Sequence, residues 1–431
     1  MDAACGIDFG TSNSSVALAA SGRARLVALQ GDATSVPTAL FYAFDDDSVV
    51  HGREAMRRYL AGDEGRLLRS IKSVLGTSLW GETTQIKHRR YQFTDIVASF
   101  LQFLRGATAG ELGRLPEQVV IGRPAFFVDD DSEADARAQE QLAGAARAAG
   151  FRHVEFQLEP IAAALHYESS VTREEIALVA DIGGGTSDFS LVRVSPQRAR
   201  KSDRRADILG CNGVHIGGTD FDRLLSLASL MPHLGLRSRL KMKGMHAPSW
   251  YYSDLATWHR INFLYDMKVL TEIRTVLRDS AEPEKIERLL RVVEERKGHE
   301  LLARIEEAKI ALSDSVEATV PLAVIARGLA MKVRRVRFES AIRDCLDRVE
   351  GRVRDLLRLA AIEPSAVGTV FLTGGSSGVP AVRTAILAAL PDAKVVTGDA
   401  FGSVATGLAL DAERRFGPRR SSQRSRAGSP A

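Results

Sequence analysis

Cysteine is scarce: Cys5, Cys211 and Cys345 are the only three in 431 residues. They are scattered and odd in number, which excludes a disulfide framework and a cysteine-based zinc pattern. So few unstapled thiols point to a reducing, cytoplasmic setting. Long apolar runs are missing, so no membrane contact through a spanning segment is expected. Met1-Asp2-Ala3-Ala4-Cys5 carries neither a basic region nor an apolar stretch, and no secretion signal is expected there. The body also lacks a charge excess. The net charge is +4, and after Leu410 six arginines face only Asp411 and Glu413, so that excess of four accounts for all of it. A neutral body argues against nucleic acid as a partner.

What is present is enough for a large fold. A hydrophobic content of 45% and a charged content of 26% are those of a globular protein, and 431 residues predict two or more domains. Residues 414–431, rich in Arg, Ser, Gly and Pro, are expected to be a disordered basic tail.

The stretch 178–192 organises the chain. An apolar run reaches Asp181, three glycines follow (Gly183, Gly184, Gly185), then Thr186 and Asp188, and an alternating pattern leads out. This predicts strand, tight glycine turn, strand. Such a turn brings successive N–H groups into a concave anion nest. Carboxylates flanking a phosphate nest repel their ligand unless a hard cation such as Mg²⁺ bridges them. A plain glycine hairpin with two solvated aspartates is the alternative. A second copy stands near the start: Gly6-Ile7-Asp8-Phe9-Gly10-Thr11-Ser12-Asn13-Ser14-Ser15-Val16. Asp8-Phe9-Gly10 answers Asp181-Ile182-Gly183. Two such hairpins predict a duplicated fold with a nucleotide between its halves.

The two hairpins resemble the phosphate loops of the actin-like ATPase superfamily, and Asp-Ile-Gly-Gly-Gly-Thr-Ser-Asp is most similar to the DnaK-type heat-shock chaperones of the heat-shock protein 70 family. The resemblance implies an α/β actin-like ATPase fold: two duplicated ribonuclease-H-like lobes with a nucleotide cleft between them. It implies ATP/ADP and Mg²⁺ as cofactors. It also implies residue roles. Gly10, Thr11, Ser12, Asn13, Gly183, Gly184, Gly185 and Thr186 would hold phosphates. Lys72, in Arg69-Ser70-Ile71-Lys72-Ser73-Val74-Leu75-Gly76, would reach the γ-phosphate and the attacking water. Glu159, in Glu159-Pro160-Ile161-Ala162-Ala163-Ala164-Leu165, would lie near the metal waters. Asp8, Glu159 and Asp188 would bind the metal through water, and Lys72, Thr186, Asp188 and Glu159 would form the catalytic set.

Further motifs follow in family order. Gly217-Gly218-Thr219-Asp220-Phe221-Asp222 resembles a cofactor-binding turn, with Thr219 replacing a glutamate. Glu306, Lys309 and Ser313 share one helix face, and in the family that pattern contacts ribose and adenine. Gly374-Gly375-Ser376-Ser377-Gly378-Val379-Pro380 resembles the adenosine loop, with Gly378 where the family has a base-stacking arginine. Gly402-Ser403-Val404-Ala405-Thr406-Gly407 resembles the last hinge helix, with Phe401 in place of an aspartate and Asp399 two residues early.

Other expectations rest on the residues alone. Residues 36–42 are read as one strand, the arginines near 198–205 as a solvated loop, Trp250, Tyr251 and Tyr252 as core, and His259 as structural. The expected division is lobe I at 1–176, lobe II at 177–398 with a divergent helical part near 222–313, and a hinge helix at 399–413. The whole is similar to short, YegD-like members consisting of the nucleotide-binding domain alone, so no peptide-binding domain is expected. The implied function is an Mg-dependent ATPase acting as a two-lobe switch with an unknown protein partner. A non-hydrolysing nucleotide-binding regulator or scaffold is the alternative. Gly374-Gly375-Ser376-Ser377-Gly378 also fits a serine-hydrolase elbow, but that fold needs a later histidine, and none follows His299. A sugar kinase would need a substrate base that no motif supplies.

Overall fold

The structure is a computed structural model and describes residues 5–124, 126–128, 131–168, 171–201, 204–242, 244–258, 260–398 and 402–417. His259, Asp399, Phe401 and the tail beyond Gly417 lie outside the described residues, and so do the expectations placed on them. Among the described residues no helix is long and apolar enough to cross a membrane.

Two mixed sheets repeat one plan. In the first, Cys5–Phe9 pairs antiparallel with Asn13–Ala20, which pairs antiparallel with Arg23–Leu26. On its other side Cys5–Phe9 pairs parallel with Gln118–Arg123, and that strand parallel with His153–Leu158. In the second, Glu175–Ile182 pairs antiparallel with Ser187–Val194, which pairs antiparallel with Ile208–Val214. Glu175–Ile182 also pairs parallel with Val367–Thr373, and that strand with Lys394–Thr397. Strand order and direction match position for position. The hairpin register matches too: Asp8 faces Ser15 as Asp181 faces Asp188. The α/β class and the duplication expected from the hairpins are the architecture of the molecule.

Each sheet has its own core. Ile7, Phe9, Val119 and Ile121 pack with helix Phe93–Leu112 through Ile96, Phe100 and Leu104. Leu178, Ala180, Leu372 and Phe189 pack with the helices of the second half. A third cluster joins the halves: Val120 and Ile161 to Leu165 meet Ala177, Val179, Val192 and Phe371, with Val404 and Leu408. Its helices are Glu159–Glu168 and Ser403–Phe416. They cross where a Cβ on Gly407 would overlap the carbonyl of Ala162. The same helix lies so close to the first strand that a Cβ on Gly6 would overlap the backbone of Ala409. Glycine is required there by backbone approach rather than by a turn.

Several local expectations are corrected. Residues 36–42 form two strands rather than one: Ser35–Pro37 joins the first sheet and Ala39–Ala43 a separate three-stranded sheet. The break is Thr38, whose hydroxyl donates to Gly10 O (2.8 Å) and lies 2.8 Å from Ser14 Oγ. The loop near 198–205 is not simply solvated. Arg204 is buried and pairs with Glu168 (2.7 Å) and Asp207, and Arg198 pairs with Glu174 (2.8 Å) and Asp207. A buried ion pair of this kind costs about 3–5 kcal/mol when one partner is removed. Tyr251 and Tyr252 are core, but Trp250 is exposed. The last helix runs to Phe416, and Arg415, beyond the boundary expected at 413, pairs with Asp411 (2.8 Å) and Glu155 (3.2 Å).

Candidate functional site

The two glycine turns meet. A Cβ on Gly184 would overlap Ser12 Oγ, so the first turn (Gly10 to Asn13) touches the second (Gly183 to Gly185). The first is held by Thr38, whose N–H donates to Ser12 O (2.9 Å). The second is closed by Gly183 N–H to Thr186 O (2.9 Å). Gly183 O accepts from Gly218 N (3.0 Å) and from Ser376 Oγ (3.0 Å). Gly184 O accepts from Thr219 N and Thr219 Oγ1, both at 2.8 Å. Four segments far apart in sequence therefore converge: 10–13, 183–186, 217–219 and 374–376. Gly374 carries a φ of +79°, and a Cβ there would overlap Asp181 Oδ1. Only glycine allows this turn to lie against the central strand.

Beside the turns lies a buried ionic group. Lys72 Nζ is 2.7 Å from Glu159 Oε1, and both side chains are largely buried. Burial disfavours the Lys72 ammonium, but Glu159, Asp8 and Asp181 outweigh it and raise its pKa. The Asp8 carboxyl is pushed up to about 7, first by burial and then by Glu159, with Lys72 opposing. Asp181 is raised well above the usual carboxylate range by burial, then by Glu159, Asp188 and Asp8. Asp8, Asp181 and Glu159 thus share the ammonium of Lys72. That imbalance suits a hard divalent cation. Among the described residues no three acidic, histidine or cysteine side chains are placed to hold a metal directly, so water and phosphate oxygens would complete its shell. Asp188, by contrast, is exposed and accepts from Thr186 Oγ1 (2.8 Å).

A cleft of about 1430 Å³ opens from the turns and is bordered by Ser12, Thr219, Asp222 and Glu306. Lys309 lies beneath, buried, donating to Asp222 Oδ2 (2.9 Å) and Gly218 O (3.3 Å). Burial pushes the Asp222 carboxyl up to about 6, against Lys309 and with Glu306. Its Oδ1 is buried without a hydrogen-bond partner among the described residues. Ser313, one turn beyond Lys309, accepts from Arg335 Nη2 through its carbonyl (3.1 Å). A Cβ on Gly378 would meet nothing within 4 Å. A second crevice of about 650 Å³ is bordered by Glu159, Asp181, Thr186 and Asp188.

Asp181 and Asp222 were visible in their sequence motifs but were not among the expected site residues. Asp181 stands in its hairpin where Asp8 stands in the other, so the internal repeat itself pointed to it. Asp222 closes the Gly217–Asp222 motif, but nothing in its spacing marked it as facing Lys309.

The Hsp70 protein family model matches residues 4–231 and 280–421. The Chaperone protein DnaK of Thermus thermophilus, from each of two strains, is 26% identical over 413 residues. The alignment covers 90% of this chain and 56% of each relative, so the chain spans about half the length of the curated relatives it matches. With both hairpins, the acidic cluster and the final helix inside the matched segments, this chain belongs to the Hsp70 family, over that family's nucleotide-binding region and with its actin-like ATPase fold.

Proposed function

We propose that this protein binds ATP with Mg²⁺ between its two lobes, hydrolyses it slowly, and uses the result to change the angle between them. The observation that carries this reading is Lys72 on Glu159, surrounded by Asp8 and Asp181 and placed beside two touching glycine turns. Amides of residues 10–13 and 183–186 cradle the phosphates. Asp8, Asp181, Glu159 and Asp188 are the residues that would hold the cation, through water rather than directly. Mg²⁺, when bound, neutralises phosphate charge. Lys72 supplies a second positive charge and Thr186 orients the attacking water. Such chemistry depends on positioning and electrostatics more than on covalent steps. Asp222 Oδ1 offers an acceptor for a ribose hydroxyl, with Glu306 beside it, and Lys309 holds that carboxylate in place. Lobe I comprises 1–176 and lobe II 177–398, and the helix Ser403–Phe416 returns to lobe I as the hinge. A cytoplasmic setting and a protein partner that reads the lobe angle complete the reading.

The second reading is a non-hydrolysing nucleotide-binding switch. It is favoured by the open space at Gly378, where the family resemblance leads one to expect an arginine on the base. Equilibrium ATP and ADP binding beside single-turnover hydrolysis, with and without Mg²⁺, separates the two. Binding with Mg²⁺-dependent turnover supports the first; tight binding without turnover supports the second.

A further inference from the structure

We propose that Arg69 is a positioning residue, and that its stack on Trp258 is the contact through which closure of the cleft sets Lys72 on Glu159. The claim deepens the proposed function, since it rests on Lys72 being the charge beside the γ-phosphate. Arg69 is the last residue of strand Gly65–Arg69, paired to Ala39 in the first half of the molecule. Its guanidinium lies over the Trp258 ring, 4.6 Å from the centroid, in the second half. Three residues later in the same segment, past Ser70 and Ile71, comes Lys72. Ser70 takes a left-handed φ of +56°, a conformation that costs a non-glycine residue about 1–2 kcal/mol. The bend is braced by Ser73, whose N–H and hydroxyl donate to Ser70 O (3.0 and 2.7 Å). Ile71 is buried in the first core. The segment is therefore stiff between two anchors, Arg69 on the opposite lobe and Lys72 on Glu159.

The Trp258 end is equally defined. His299 Nε2 lies 3.0 Å from Trp258 O, and the two rings meet edge-on at 4.7 Å. Tyr59, from the same half as Arg69, reaches His299 Nδ1 at 3.1 Å. Trp258 falls in residues 232–279, between the two stretches that match the family. The anchor is thus supplied by a part of the chain that the family pattern does not account for. A strained turn needs surroundings that hold it. With the cleft closed, the Trp258 stack fixes one end of the turn. With the cleft open, that end is free, and the ammonium of Lys72 is no longer held at one place.

The test is hydrogen exchange on the full chain, read by mass spectrometry, for wild type, Trp258→Ala, Arg69→Gln, the double variant and Trp258→Phe. Loss of a desolvated cation–π contact changes a local opening equilibrium by about 3- to 30-fold. We expect amides 70–75 to exchange faster by about that factor in each single variant, although Trp258 belongs to the other lobe. The double variant should show no further gain, because one contact is lost twice, and Trp258→Phe should stay near wild type. At saturating ATP the single-turnover rate should fall by a similar factor, with affinity within about twofold. Unchanged exchange at 70–75, additive effects, or lost affinity at an unchanged rate would overturn the claim. Arg69→Gln keeps the test alive if Trp258→Ala fails to fold. If the wild type does not hydrolyse ATP, the exchange result still decides the coupling, while the ATPase reading falls separately.

Discussion

Lys72 Nζ and Glu159 Oε1 lie 2.7 Å apart, joining a short turn in the first third of the chain to the first residue of helix Glu159–Glu168. The pair is the cationic link in a group that also holds Asp8 and Asp181. Its removal should act twice. In the reaction, Lys72→Ala takes away a preorganised positive charge, which typically costs about 10²–10³ in rate. Nucleotide affinity should fall much less, since the backbone amides remain. In the protein without nucleotide, Glu159 is left buried beside two carboxylates, and loss of one partner of a buried pair costs about 3–5 kcal/mol. Single-turnover hydrolysis, equilibrium binding and urea unfolding measure the three quantities. Equal hydrolysis rates in wild type and mutant would reduce Lys72 to a structural lysine.

The same cluster predicts a pH effect on stability. The Asp8 carboxyl titrates near 7 when folded, against an ordinary value of 3.8. The folded state therefore holds a proton that the unfolded state releases between those values. The stabilisation is complete below about pH 4 and is lost as pH rises through about 7. Asp8→Asn keeps the shape and removes the titration, so the mutant should gain on wild type as pH rises from 4 to 8, by an amount on the order of a few kcal/mol. Comparing the two proteins cancels the opposing contribution of His51 and His299, which burial pushes down to about 4 and which destabilise the fold as pH falls below 6.5. Urea midpoints across that range, without nucleotide, give the answer. Parallel curves for the two proteins would mean that Asp8 is ionised when folded.

The hairpins were legible because their chemistry is local. Asp, glycine and small hydroxyl residues in one short stretch dictate a turn whatever surrounds it, and the repeat of that grammar fixed the duplication. The role of Asp181 was available from the same repeat, but its neighbours Glu159 and Lys72 come from other segments, so its burial could not be read. Thr38 hid inside an apolar run that looked like a single strand; only its bonds to Gly10 and Ser14 break it. Arg204 looked like one charge in a basic loop, and its burial depends on Glu168, 36 residues away. Arg69 and Trp258 are farther apart still, and no periodicity brings a strand end to a loop on the other lobe.

The crossing of helices Glu159–Glu168 and Ser403–Phe416 makes a sharper stability prediction. A methyl at Gly407 would overlap the Ala162 carbonyl, which is backbone and cannot swing away. Gly407→Ala should destabilise by about 1–3 kcal/mol or more through overpacking. Gly144→Ala is the control. Gly144 lies inside helix Ser132–Ala148, and a Cβ there meets nothing within 4 Å. That change should stabilise by about 0.5–1 kcal/mol. Denaturant unfolding should therefore show two chemically identical substitutions moving in opposite directions. A neutral Gly407→Ala would mean that the helices separate easily.

Gly378 offers a gain-of-function test of the base site. It ends the short helix Gly375–Gly378 that follows the central strand Val367–Thr373. Its backbone is not in the left-handed region, and a Cβ meets nothing within 4 Å, so a side chain can be added without strain. Ser376, two residues before, is already fixed to Gly183 O at 3.0 Å, so the turn has a defined place beside the glycine loops. An arginine at 378 should project over the base expected above Glu306. A guanidinium on an aromatic face contributes about 0.5–2 kcal/mol, which corresponds to roughly 2- to 30-fold in affinity. We expect Gly378→Arg to bind ATP and ADP more tightly by that factor and to release ADP more slowly. Triphosphate alone, lacking the base, should bind wild type and mutant equally. Gly378→Lys, with a point charge but no planar face, should recover less of the gain. Stopped-flow release of a fluorescent ADP, together with calorimetry on ATP and tripolyphosphate, measures all of these. If Gly378→Arg strengthened tripolyphosphate as much as ATP, the new charge would be acting on phosphate, and the base would have to lie elsewhere in the cleft.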